Sequence, residues 1–282
     1  MHTINYEVEY DNRGRIPEHP QIFARWDREA ADYRATARGA EFGIKYGPSP
    51  RQTYDLFPAA NDGPSTPLAL FIHGGWWRSL EPAKFSQMAK VPNAHGVTVA
   101  VAGYDLCPAV SIATIIDEMK ACCLALWRRY KKRIFVYGHS AGGHLAACML
   151  AQEWTKLASD APDDLVPAAY AVSGVFDLDP LLHVSQNADL KLTPAEARKV
   201  SPVHWSIPSA RRLDAVVGAL ESNEFLRQSR YITEAWDACG ASVRFEEIPH
   251  ANHFTVIDPL SDAKSRMTAR VVQLARDTAG LD

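Results

Sequence analysis

Short runs that read as buried strands recur along the chain at 68–72, 97–102, 134–137, 168–172, 213–217 and 243–248, all but the last of them nearly free of polar interruptions. Strands of this kind are buried on both faces, unlike the alternating strands of a half-exposed sheet. Stretches with helical spacing lie between most of them, at 85–90, 111–130, 141–152 and 224–239, with a last one at 262–278. Strand and helix in alternation predict an α/β fold: a mostly parallel central sheet with helices on both faces. Upstream, Ile22, Phe23, Trp26, Ala30 and Tyr33 mark an amphipathic helix over 20–38. Two strand-like pieces follow, at 42–46 and 52–57, parted by the turn Gly47-Pro48-Ser49-Pro50. The rhythm breaks over 179–208, where Pro180, Pro194, Pro202 and Pro208 interrupt any regular element, so this segment reads as an insertion or lid. No repeat or linker divides the chain. One domain over 1–282 is expected, with 1–40 as an N-terminal helical arm.

Composition narrows the classes without naming one. The 282 residues are 47% hydrophobic and 22% charged, with a formal net charge of −3, which is ordinary for a globular protein. The basic cluster Arg128, Arg129, Lys131, Lys132 and Arg133 closes a helix, where it complements the negative helix end; nucleic acid is not the expected partner. Five cysteines with no metal-binding spacing predict free, mostly buried thiols, no metal and a reducing compartment. The polar stretch from Met1 to Asn12 lacks the apolar core of a secretory leader, and no run approaches a membrane span. A soluble cytoplasmic protein is expected, with self-association into a homodimer left open.

Chemistry is concentrated in three places. Gly138-His139-Ser140-Ala141-Gly142 fits G-x-S-x-G, after an apolar strand and before a run of helix formers. A sharp strand-to-helix turn exposes the middle serine above the sheet, at a helix N-terminus that stabilises negative charge. Ser140 is therefore the candidate nucleophile. His73-Gly74-Gly75-Trp76-Trp77 follows the strand at 68–72, and its glycines let the main chain approach a substrate closely. Backbone N–H groups of Gly74 and Gly75, with that of Ala141, are the candidate oxyanion donors. His73 reads as a structural residue of this loop. Trp76, Trp77, Tyr104 and His139 are candidate substrate contacts, with at least one of the adjacent indoles expected to face the pocket. Pro249-His250-Ala251-Asn252-His253-Phe254, after the last strand, offers two candidate bases, of which His253 lies farther from the strand end and is preferred. The acid is sought after the strand at 213–217, where Glu221 is preferred; Asp177 and Glu224 stay as alternatives.

These pieces together resemble the arylformamidase (kynurenine formamidase) branch of the α/β hydrolases. The resemblance rests on His73-Gly74-Gly75-Trp76-Trp77, Gly138 through His144, the acid turn Glu221-Ser222-Asn223-Glu224-Phe225-Leu226-Arg227-Gln228-Ser229, and Asn252-His253-Phe254. It implies the α/β-hydrolase fold, a Ser-His-Glu triad and cleavage of an N-formyl aryl amide such as N-formylkynurenine, without a cofactor. The acid turn also favours Glu221 over its rivals. The sequence departs from the branch in having Glu for Asp as the acid and Trp76 at a position often held by Tyr. Relatives of the branch also hydrolyse simple esters, so a short-chain carboxylesterase is the second reading. A hydrolase fold kept only for binding is the third.

Overall fold

The computed structural model describes residues 4–280; Met1 to Thr3 of the polar start, with the last two residues, lie outside the described residues. Eight strands form one sheet: β1 (Glu41–Lys45), β2 (Thr53–Phe57), β3 (Leu68–Ile72), β4 (Thr98–Ala102), β5 (Ile134–His139), β6 (Ala168–Val172), β7 (Arg212–Gly218) and β8 (Ser242–Ile248). They lie in the order β1-β2-β4-β3-β5-β6-β7-β8. The pairs β1/β2 and β2/β4 are antiparallel and every other neighbour is parallel, which is the mixed, mostly parallel sheet that the apolar runs predict.

The arm begins with α1 (Tyr6–Tyr10) and α2 (Asn12–Arg15), neither of them legible in its polar sequence, followed by α3 (His19–Thr36). The remaining helices are α4 (Gln87–Ala94), α5 (Ile112–Tyr130), α6 (Ala141–Leu150), α7 (Trp154–Leu157), α8 (Asn187–Leu190), α9 (Pro194–Lys199), α10 (Asn223–Asp237) and α11 (Arg266–Ala279). Strand β3 feeds both cores in turn. Leu68, Leu70 and Ile72 pack with residues of α5, α6 and α10, whereas Ala69 and Phe71 pack with residues of α3, α4 and α11. Such burial on both faces leaves no room for polar alternation. None of the described helices is long and apolar enough to cross a membrane.

The segment at 179–208 is packed rather than loose. Leu181, Leu190, Ala197 and Val200 are buried, and His144 in α6 donates from Nε2 to the Val200 carbonyl at 2.7 Å. The basic cluster at the end of α5 is divided among carboxylates, with Arg128, Arg129, Lys132 and Arg133 facing Asp160, Glu41, Asp62 and Asp164. Of the five free thiols only Cys239 is exposed.

The turn from β5 into α6 is as crowded as a G-x-S-x-G elbow requires. A Cβ on Gly142 would stand 1.9 Å from the Ile72 carbonyl oxygen, and one on Gly138 would stand 2.3 Å from that of Gly142. Both obstacles are backbone, so neither can rotate away. Gly142→Ala is therefore expected to cost about 3 kcal/mol of stability or more, read as a lowered urea midpoint. An unchanged midpoint would show that strand β3 and α6 can separate without cost.

Candidate active site

Ser140 sits between β5 and α6 with φ 57° and ψ −119°, a conformation that a non-glycine residue adopts only when its surroundings impose it. Its N–H donates to the Val172 carbonyl at 2.8 Å, and its carbonyl accepts from the His144 N–H at 3.1 Å. Those two bonds fasten the strained residue to β6 on one side and to α6 on the other. The side chain is left at the C-terminal edge of the parallel strands, where crevices in open α/β sheets lie.

Three side chains from distant parts of the chain meet there. His253 Nε2 lies 3.0 Å from Ser140 Oγ, and His253 Nδ1 lies 2.6 Å from Glu221 Oε2. Glu221 Oε1 accepts from Ser173 Oγ at 2.5 Å and from the Gly218 N–H at 2.7 Å. A carboxylate has only acceptors, so all three of these contacts are donated to it. The Nδ1–H of His253 is thus directed at Glu221, and Nε2 is free to accept from the serine.

The alternatives lie elsewhere. His250 is exposed, with φ 60°. Asp177 faces Arg227, and Glu224 takes the Tyr10 hydroxyl at 3.0 Å and the Arg227 guanidinium at 2.8 Å. Asn252 explains the Asn-His-Phe sequence: its Oδ1 accepts the N–H groups of Phe254 and Thr255, a tight local turn that presents His253 inward.

The long acid turn has a physical role for most of its letters. Ser222 caps α10 through the Phe225 N–H, and the Phe225 ring lies 4.5 Å from that of His253. Arg227 bridges Glu224 and Asp177. Gln228 accepts the N–H groups of Phe176 and Asp177 and donates to the Tyr10 hydroxyl at 2.8 Å. Burial, with Glu224 beside it, pushes the Tyr10 phenol well above its usual range, so it stays a neutral donor. The turn thus ties the N-terminal arm to the loops after β6 and β7.

The loop after β3 comes close to the serine. A Cβ on Gly74 would lie 2.8 Å from the His139 carbonyl oxygen and 3.0 Å from Ser140 Cβ. Gly75 has φ 113°, where a Cβ would strike the Ser79 carbonyl oxygen at 2.4 Å. Ala141 opens α6, so its N–H has no acceptor within the helix. His73 Nδ1 donates to the Gly74 carbonyl at 2.6 Å, and its ring stacks on Tyr104 at 4.4 Å and on Phe85 at 5.6 Å, a structural role for that histidine.

A narrow cavity of about 90 Å³ opens over Ser140. Gly74, Gly75, Trp76, His139 and His253 border it, and Tyr10, Phe23, Trp26 and Phe254 complete an aromatic wall. Two expected contacts are corrected. Trp77 turns into the core with 1% exposure and meets His144 edge-on at 5.0 Å, because adjacent indoles on this loop cannot face the same way. Tyr104 is fully buried, its hydroxyl donating to the His73 carbonyl at 2.8 Å, so it supports the loop from behind. Sequence reasoning also missed Tyr10, Phe23 and Trp26 as wall residues, and Ser173 as a donor to Glu221. The aromatic spacing of α3 was visible, but which face met the sheet edge was not. Ser173 had one faint signal, a polar residue directly after the apolar strand β6, which lies beside β5.

These contacts sit in a matching family. The profile described as an alpha/beta hydrolase fold matches residues 69–257, from β3 through His253. The chain belongs to that α/β-hydrolase family. This hydrolase is 30% identical over 241 residues to the kynurenine formamidase of Salmo salar, with 82% of this chain and 80% of the relative covered. It is 27% identical to that of Danio rerio, with the same coverage. A solved protein from Silicibacter sp. TM1040, described provisionally as a thioesterase, superposes with a TM-score of 0.84 at 30% identity, covering 96% of this hydrolase and 100% of that chain. The similarity thus runs to the branch that the motifs indicate.

Three histidines of the hydrolase are buried and held neutral. Burial lowers His73 and His144 from the ordinary 6.5 to about 4. Burial, with the neighbouring His253, lowers His139 to about 3. His139 donates Nε2–H to the His253 carbonyl at 2.8 Å and so brings no positive charge beside that ring. Because these groups titrate lower in the folded state, only the unfolded chain takes up their protons as the pH falls below 6.5. Stability is complete above that pH and drains away toward about pH 4, by up to roughly 1.4 kcal/mol per pH unit for each histidine. Urea unfolding between pH 7 and 5 is expected to show this slope, and His144→Gln to make it shallower. Identical slopes for the two proteins would contradict it.

Proposed function

We propose that this hydrolase removes a small, formyl-type acyl group from an aryl amide by a Ser-His-Glu acyl-enzyme mechanism. The observation that carries the reading is the unbroken hydrogen-bonded chain from Ser140 Oγ through His253 to Glu221, opening on an aromatic-walled cavity. His253 Nε2 takes the Ser140 proton as Oγ attacks the acyl carbon, and Glu221 stabilises the imidazolium that forms. The N–H groups of Gly74, Gly75 and Ala141 receive the developing oxyanion. As the C–N bond breaks, the His253 Nε2–H goes to the departing nitrogen and the acyl group stays on Ser140. Water then attacks that ester, giving its proton to His253, and formate and free serine result.

The crowding of Gly74 against Ser140 supports a small acyl group, and Trp76, Phe23 and Trp26 support an aryl leaving group through ring contacts worth about 0.5–1.5 kcal/mol beyond burial. The relatives named kynurenine formamidase support the formyl amide. A short-chain carboxylesterase is the second reading, supported by the solved relative described as a thioesterase. Specificity constants for formanilides and for p-nitrophenyl esters of short acids separate the two. Formanilide cleavage at least as efficient as ester cleavage is expected; ester cleavage alone would reassign the substrate.

A further inference from the structure

Strand β6 lies between the strand that leads to Ser140 and the strand that leads to Glu221, with Val172 opposite His139 on one side and Val216 on the other. The turn that follows, Val172-Ser173-Gly174, reaches both residues. The Val172 carbonyl accepts the Ser140 N–H at 2.8 Å, and Ser173 Oγ donates to Glu221 Oε1 at 2.5 Å. The Ser173 N–H donates to the Val216 carbonyl at 2.7 Å. Helix α6 closes on the same turn: a Cβ on Gly143 would lie 2.8 Å from the Val172 carbonyl oxygen and 3.1 Å from Gly174 Cα. Ser173 is fully buried and has φ 50°, in the left-handed region. Glycine would hold that conformation with less strain, but glycine has no hydroxyl.

We propose that Ser173 is a positioning residue for the triad, and that the turn carrying it sets the distance between nucleophile and acid. The proposal rests on the Ser-His-Glu reading, but not on the identity of the acyl or leaving group. The Glu221 side chain has no solvent exposure, so its oxygens are oriented by protein donors. Ser173 and the Gly218 N–H together fasten Oε1, which leaves Oε2 to His253. A carboxylate held at one oxygen cannot rotate away from the imidazole, and its charge stays where the imidazolium forms. The same contacts give a reason for glutamate at this position. An aspartate, one methylene shorter, would give up Ser173 or His253.

The test follows kcat and KM for p-nitrophenyl acetate in Ser173→Ala and Ser173→Gly. Both are expected to lower kcat about tenfold with KM within about twofold, as loss of one hydrogen bond to a charged group allows. Glycine suits the backbone of this turn, so its variant separates the hydroxyl from folding. In a Glu221→Asp background, Ser173→Ala is expected to add less than about twofold, because the shorter acid has already broken the link. A kcat within about twofold of the unaltered protein in either single variant would overturn the positioning role. So would a full second loss in the aspartate background. If Glu221→Gln is slow while both Ser173 variants are unimpaired, only this inference fails. If Glu221→Gln is also unimpaired, or the unaltered protein does not turn over the ester, the Ser-His-Glu reading fails and takes the inference with it.

Discussion

Replacing Ser140 by alanine is expected to lower kcat by at least about 10⁴-fold, and His253→Ala by a similar factor. The two side chains work as one unit. Nε2 accepts the proton that makes Oγ a nucleophile, so that either is idle without the other at their separation of 3.0 Å. The double variant should therefore be no slower than the worse single one, giving a strongly non-additive cycle. Labelling by a serine-directed phosphonate should vanish in the Ser140 variant. Additive losses, or labelling that persists, would move the nucleophile elsewhere. Absence of labelling in the unaltered protein would favour a hydrolase fold kept for binding alone.

The second large effect belongs to Glu221→Gln, with an expected loss of about 10³–10⁴-fold in kcat/KM. Its two oxygens accept from three donors, two on Oε1 and His253 on Oε2. An amide that keeps its oxygen toward Ser173 and Gly218 must turn its NH₂ toward His253 Nδ1. That reverses the tautomer and places a hydrogen on Nε2, which can then no longer take the serine proton. The substitution nearly preserves shape, so an unchanged melting temperature would separate the chemical loss from unfolding. Glu221→Asp keeps the charge but withdraws it by one methylene, and an intermediate loss is expected. A change below tenfold for Glu221→Gln would assign the acid to Asp177 or Glu224 instead.

The acid shows how far local sequence carries an argument. Glu221, Glu224 and Asp177 all follow strands of the sheet, and all three end in carboxylates within reach of the same end of it. Their separation comes from partners hundreds of positions away in some cases: Tyr10 occupies Glu224, and Arg227 lies between Glu224 and Asp177. The resemblance favours Glu221, the carboxylate that lies against His253, but the reason for the long turn lay in the arm. Similarly, the adjacent tryptophans could be assigned opposite directions from their spacing, though not which one faced the cavity. Three successive positive φ values at Gly75, Trp76 and Trp77 fix that outcome, and they arise from how the loop folds back under Ser79.

By itself the sequence determined the sheet and its covering helices, because an apolar run flanked by helical periodicity has few other ways to bury its surface. It also determined the sharp turn that carries Ser140, since a G-x-S-x-G between strand and helix is a local constraint on backbone geometry. The cavity was decided by tertiary structure alone. Its far wall comes from a short polar helix and an amphipathic one that approach the sheet edge only after the chain has closed on itself, and contacts between residues more than two hundred positions apart leave no periodic trace in either partner.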